Sequence, residues 1–168
     1  NDASFTFDFK IQPTLIQVNA DGVLLCEIIE NKVLSDYIFQ LKNAQNFAHR
    51  REALIAVAKK QDDKDAFTSV VSALEDSSYK IRILALEKID LINKFSKKDA
   101  IEKIMQVANS DKKTLVQAAA IETLGKLIDP ELKNIFVRGL DSKSYAVLGK
   151  ALVAMYYLDQ DLALQKSK

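Results

Sequence analysis

The chain has 168 residues, 48% of them hydrophobic and 28% charged, a core-forming composition rather than a disordered one. Its 24 basic and 23 acidic side chains leave a net charge of +1, without the basic excess that a nucleic-acid-binding face collects. One cysteine and one histidine exclude an intramolecular disulfide and a closed Cys/His zinc site, and the apolar run at 151–158 is far short of the roughly 18–20 residues of a membrane span.

Residues 1–30 follow a two-residue period. Phe5, Phe7, Phe9 and Ile11 alternate with Thr6, Asp8 and Lys10, as in a half-buried strand, and Pro13 ends the run. Stretches 14–18 and 23–29 read as two more strands, joined by Asn19-Ala20-Asp21-Gly22, where Asp-Gly favours a tight turn. Cys26 falls in the last of these and reads as a small buried hydrophobe. Three strands with one apolar face need a layer to pack on, so this small antiparallel β segment reads as the terminal strands of a β-sandwich-like unit. The chain opens Asn1-Asp2-Ala3 without an initiator Met, which is expected of a segment cut from a longer protein.

From residue 31 to 168 the period is helical. With two prolines and four glycines in all, there is room for long helices. Eight are expected in pairs: 33–43 with 46–60, 64–75 with 78–94, 98–109 with 113–128, and 130–140 with 143–158. Asp62-Asp63-Lys64-Asp65 reads as a cap and first turn, and Asp129-Pro130-Glu131 as a start signal. The lysine pairs at 97–98 and 112–113 read as solvated helix ends, and Tyr156-Tyr157 as core or a covered end. The second helices align on Ala53, Ala85, Ala120 and Ala151, spaced by 32, 35 and 31 residues, each followed by an apolar residue, with Val57, Ile89, Leu124 and Met155 four positions on. A helical hairpin repeating at this period signals a solenoid, because one hairpin cannot cover its own apolar face and stacked hairpins can.

Candidate chemistry is sparse. His49, beside Arg50 and Arg51, lacks a second histidine at metalloprotease spacing and an orienting acid, and reads as structural or solvent-facing. Gly149-Lys150 lacks the earlier glycine of a phosphate-binding loop. Arg50 and Arg82 share one repeat position. They can form a ladder with the turn acids Asp76, Asp111 and Asp141, or, with Arg138, act as substrate or partner contacts that grip a carboxylate. These three arginines are the candidate site residues; no catalytic, cofactor-binding or metal-binding residue is assigned.

The turn acids ahead of the second helices resemble HEAT repeats, although the period is shorter than the roughly 40 residues usual there. The implied fold is mainly α, a HEAT-like α-α superhelix of about four hairpins behind the β segment. Lys10-Ile11-Gln12-Pro13, then Ile16-Gln17-Val18-Asn19-Ala20-Asp21-Gly22-Val23-Leu24-Leu25, then Gln40-Leu41 and Arg51-Glu52-Ala53-Leu54, resemble the end of the aminopeptidase N family of zinc metallopeptidases. In that family a β-sandwich leads into a helical C-terminal domain that closes over the catalytic domain. The resemblance implies a non-catalytic domain that shapes or covers the substrate cavity. Its partner would be its own upstream catalytic domain, and peptide substrates would reach it through the parent protein. It implies no cofactor in this chain, with zinc held in the parent catalytic domain, and neither nucleic acid nor a membrane span. The rival reading is a freestanding HEAT-like protein-binding scaffold.

Overall fold

The computed structural model describes residues 4–166 except positions 20, 22, 24, 26, 27, 93, 94 and 96. Among the described residues the chain forms nine α-helices: α1 (Leu34–Asn43), α2 (Phe47–Ala58), α3 (Lys64–Ser72), α4 (Tyr79–Lys88), α5 (Lys97–Ser110), α6 (Thr114–Gly125), α7 (Lys133–Leu140), α8 (Tyr145–Leu158) and α9 (Gln160–Lys166). Short 3-10 turns at Ala73–Glu75 and Pro130–Leu132 extend α3 and lead into α7. Local chemistry fixes several starts. The Asp63 carboxylate accepts from the amides of Asp65 and Ala66, Asn46 accepts from Ala48, and Asp129 accepts from Glu131 beside Pro130.

The first eight helices pair as α1–α2, α3–α4, α5–α6 and α7–α8, and the second helices pack in sequence, α2 on α4, α4 on α6 and α6 on α8. Ala53, Ala85, Ala120 and Ala151 are all fully buried, as are Val57, Leu124 and Met155 four residues on, while Ile89 is only partly covered. Leu54, Leu86 and Ile121, which follow three of the alanines, are at most 2% exposed. Each such side chain contributes about 1.5–3 kcal/mol when buried. One apolar cluster therefore runs from Leu41 to Ala163.

Two elements differ from expectation. The helix expected over 78–94 stops at Lys88, because side chains from neighbouring elements occupy its terminal carbonyls. Gln61 donates to Lys88 O at 2.8 Å and accepts from the Asp90 amide at 2.9 Å, and Thr123 Oγ1 donates to Leu86 O at 2.9 Å. The additional helix α9 follows Asp159, whose carboxylate accepts from the Leu162 amide and whose side chain also pairs with Lys133 at 2.7 Å. It folds onto α8 and buries Ala163.

The small β segment expected over 1–30 is not seen: no strand forms among the described residues there. Of the expected turn, Asn19 takes φ 53°, a conformation Asn tolerates, and Ala20 lies outside the described residues. Phe5, Phe7, Phe9 and Ile11 are 61–84% exposed, so among the described residues the alternating apolar face is not covered, the condition under which isolated strands fail. Gly22 and Cys26 lie outside the described residues. Ahead of α1, Lys32 bonds to Gln40 Oε1 at 2.7 Å and pairs with Glu30, while the fully buried Gln40 amide donates to His49 O and to Glu52. This polar network, built on the Gln40 side chain, closes the first hairpin.

Close approach of helices depends on two glycines. A methyl group on Gly139 would lie 2.6 Å from that of Ala151 and 3.2 Å from Ile121; one on Gly125 would lie 2.8 Å from that of Ala154. Gly139 thus sits where α7, α8 and α6 converge, and Gly125 where α6 meets α8. Gly149, in the middle of α8, has open space around it. Gly139→Ala should destabilise the fold by about 1–3 kcal/mol through overpacking, whereas Gly149→Ala should stabilise it by about 0.5–1 kcal/mol through helix propensity. Denaturant unfolding of the two variants gives both signs.

Candidate functional site

Arg50 and Arg82 occupy the same place in successive repeats, one turn inside α2 and α4. Arg50 donates from Nε and Nη2 to the two Asp76 carboxylate oxygens at 2.9 and 3.3 Å, and from Nη1 to the carbonyls of Ala44 and Gln45. Arg82 repeats the pattern one hairpin later. It donates to Asp111 at 2.7 and 2.9 Å, and to the carbonyls of Asp76 and Ser77. Each aspartate in turn accepts from the amide two residues on, Asp76 from Ser78 and Asp111 from Lys113. One guanidinium therefore ties its own inter-helix turn to the turn of the next repeat, with both side chains of each pair 8–13% exposed. Lys80 over the Phe47 ring and Lys113 over the Tyr79 ring reinforce the same two junctions.

The ladder stops at the third repeat by sequence. Gln117 stands where an arginine would, and its shorter amide reaches only its own turn, at Asp111 O, 2.7 Å away. Asp141, expected to continue the row of turn acids, is out of register by one residue. It is the C-cap of α7, 70% exposed, and 3.7 Å from Lys166. Ser142 holds the equivalent position, its hydroxyl accepting from the Ser144 amide. Arg138 lies elsewhere, exposed in the last turn of α7, with Nε donating to Asn134 O at 3.3 Å. No hydrogen bond or ion pair among the described residues links it to the ladder, so the three arginines are not gathered into one site.

Clefts break the surface at several places. One, about 650 Å³ between α1 and α3, is lined by Ser69 and Ser72, whose hydroxyls are already bonded to the carbonyls four residues back. A second, about 480 Å³, follows the ladder edge, where Arg82 and Asp111 satisfy each other. A third, about 350 Å³ between α6 and α8, is mostly apolar: Val153, Tyr157 and Ile128 form its walls and Gly125 and Ala154 its floor. Tyr156 and Tyr157, expected in the core or at a covered end, are instead 46% and 66% exposed and stack edge-to-face at 5.8 Å. Among the described residues no group of three or more His, Cys, Asp or Glu side chains is placed to hold a metal ion, and no helix is long and apolar enough to cross a membrane.

The Asp111 carboxyl sits below its ordinary value of 3.8. Burial alone would raise it, but the Arg82 hydrogen bonds, the Lys113 amide and the charges of Arg82 and Lys112 outweigh that. A depressed carboxyl stabilises the fold above its unfolded pKa, and that contribution disappears as pH falls through the lower folded value. Acid titration of unfolding should therefore show stability falling below about pH 4, with a shallower fall in Asp111→Asn. At neutral pH, Arg82→Met should cost about 1–3 kcal/mol in denaturant unfolding, because Asp111 then keeps only the Lys113 amide and the Asp76 and Ser77 carbonyls lose their donor.

The HEAT repeats family matches residues 67–156, from α3 through α8 and over more than half of the chain. No curated protein matches it. The first hairpin lies outside the matched span and carries the polar network around Gln40. Eight helices paired and stacked through a repeated alanine, with an arginine-aspartate ladder joining the first three pairs, agree with that match: the chain belongs to the HEAT repeat family.

Proposed function

We propose that this chain is a non-catalytic helical scaffold serving as the C-terminal domain of a zinc metalloaminopeptidase of the aminopeptidase N type, where it shapes or covers the substrate cavity. The observation that carries this reading is the N-terminal arm. Its alternating phenylalanines stay exposed beside a well-packed repeat stack, a face that needs an apolar layer from another domain. The ordered run of motifs from Lys10 to Leu54 supports the same parent. The repeat stack supplies rigidity through nearest-neighbour packing, and Arg138, with its guanidinium in solvent, is the arginine best placed to meet a partner carboxylate.

The second reading, a freestanding protein-binding scaffold, is favoured by one observation: the apolar groove between α6 and α8 is complete within this chain. The reading frame upstream of the Asn1 codon separates the two. The first reading expects H-E-x-x-H and a downstream glutamate there; a frame without them contradicts it. Purified on its own, the chain should also retain less than about 0.1 zinc per molecule after dialysis and hydrolyse no aminoacyl substrate, because one His and one Cys cannot complete a site. Tightly held zinc with turnover would contradict both readings.

A further inference from the structure

The groove between α6 and α8 contains the one strained non-glycine backbone position among the described residues that Asn chemistry does not explain. Ile128 follows the α6 C-cap, Lys126, by two residues and has φ 49°. Helices commonly end with a left-handed residue, but that residue is usually glycine, and a β-branched side chain there is a true outlier. The strain is not offset by burial, since Ile128 is 54% exposed. Its side chain joins Val153, 55% exposed, and Tyr157 around an apolar cleft instead. A residue held in an unfavourable conformation with its side chain presented to solvent points to a role outside folding.

The lining also indicates what fits. A volume near 350 Å³ lies at the low end of the range for ligand pockets, about 300–1,000 Å³, and suits one bulky side chain rather than a helix. Of the three charges on the rim, Lys150 and Glu122 neutralise each other at 2.7 Å. Lys126 remains, exposed and without an ion pair among the described residues, as a single positive charge at the edge of an apolar cleft.

We propose that the α6–α8 groove is a docking site for an extended segment of a partner protein that presents a bulky apolar side chain beside a carboxylate, the apolar group seated between Ile128, Val153 and Tyr157 and the carboxylate on Lys126. This goes beyond the scaffold reading and holds whichever protein carries the domain.

The probe is the synthetic peptide acetyl-GSFDGS-amide, titrated against the whole chain by NMR, with counterparts carrying Ala for the Phe or Asn for the Asp. Saturable shifts at groove residues are expected, with Kd of about 1 mM or tighter. Loss of the aromatic ring should weaken binding about tenfold or more, and loss of the carboxylate about threefold, a difference that Lys126→Gln should erase. Ile128→Gly separates the site from the fold: Tm should stay level or rise by about 2 °C as the strain is relieved, while peptide binding weakens at least about fivefold. Equal response to all three peptides, no saturable binding, or a fall in Tm for Ile128→Gly overturns the proposal. Self-association of the chain that Tyr157→Ser abolishes overturns it too, because the groove would then belong to a second copy.

Discussion

Successive helices in this chain meet at hydrogens and methyl groups. Gly139 faces Ala151 where the last hairpin closes, Gly125 faces Ala154 where it abuts its neighbour, and the four repeat alanines have no exposed surface at all. Small residues let backbones approach, and that approach puts the flanking Leu54, Leu86, Ile121 and Leu124 into one continuous interior. A single hairpin could not bury these side chains. Stability therefore resides in the interfaces between repeats, and the spacing of those interfaces is set by volumes that cannot grow.

The polar contacts follow from this spacing. Once two hairpins are held at a fixed offset, the arginine of one repeat reaches the turn of the next with both carboxylate oxygens in range. The bidentate geometry fixes offset and orientation together. Gln61 and Thr123 act the same way at the other end of α4, where side chains from α6 and from the turn ahead of α3 accept or donate at its last carbonyls and the following amide. Apolar packing supplies most of the energy, and the buried polar contacts supply register.

The repeat was legible in the sequence because its signals are local and recur: a small residue every 31 to 35 positions, apolar neighbours at fixed offsets, and Asp or Asn at helix starts. What was not legible depends on partners distant in sequence. The early end of α4 is caused by Gln61 and Thr123, which no window around Lys88 contains. Asp141 was the nearest acid to the expected position, and only counting back nine residues from Ala151, as from Ala85 to Asp76 and Ala120 to Asp111, selects Ser142. The strand pattern of residues 4–11 is real as a pattern, but alternation specifies a face and not the layer that must cover it. Arg50 and Arg82 were legible as a pair because Asp76 and Asp111 recur with them, whereas the exposure of Tyr156 and Tyr157 depends on where α8 places its outer face.

A scaffold of this kind works by holding surfaces at fixed separations, so its central property is that packing at the repeated alanine sets the stack. Hydrogen exchange on Ala120→Leu tests this most directly. The leucine should lower the unfolding midpoint, by about 1–3 kcal/mol in stability, and protection should be lost first in α4, α5, α6 and α8, and last in α1. A neutral substitution, or a loss of protection spread evenly from α1 to α9, would contradict the account.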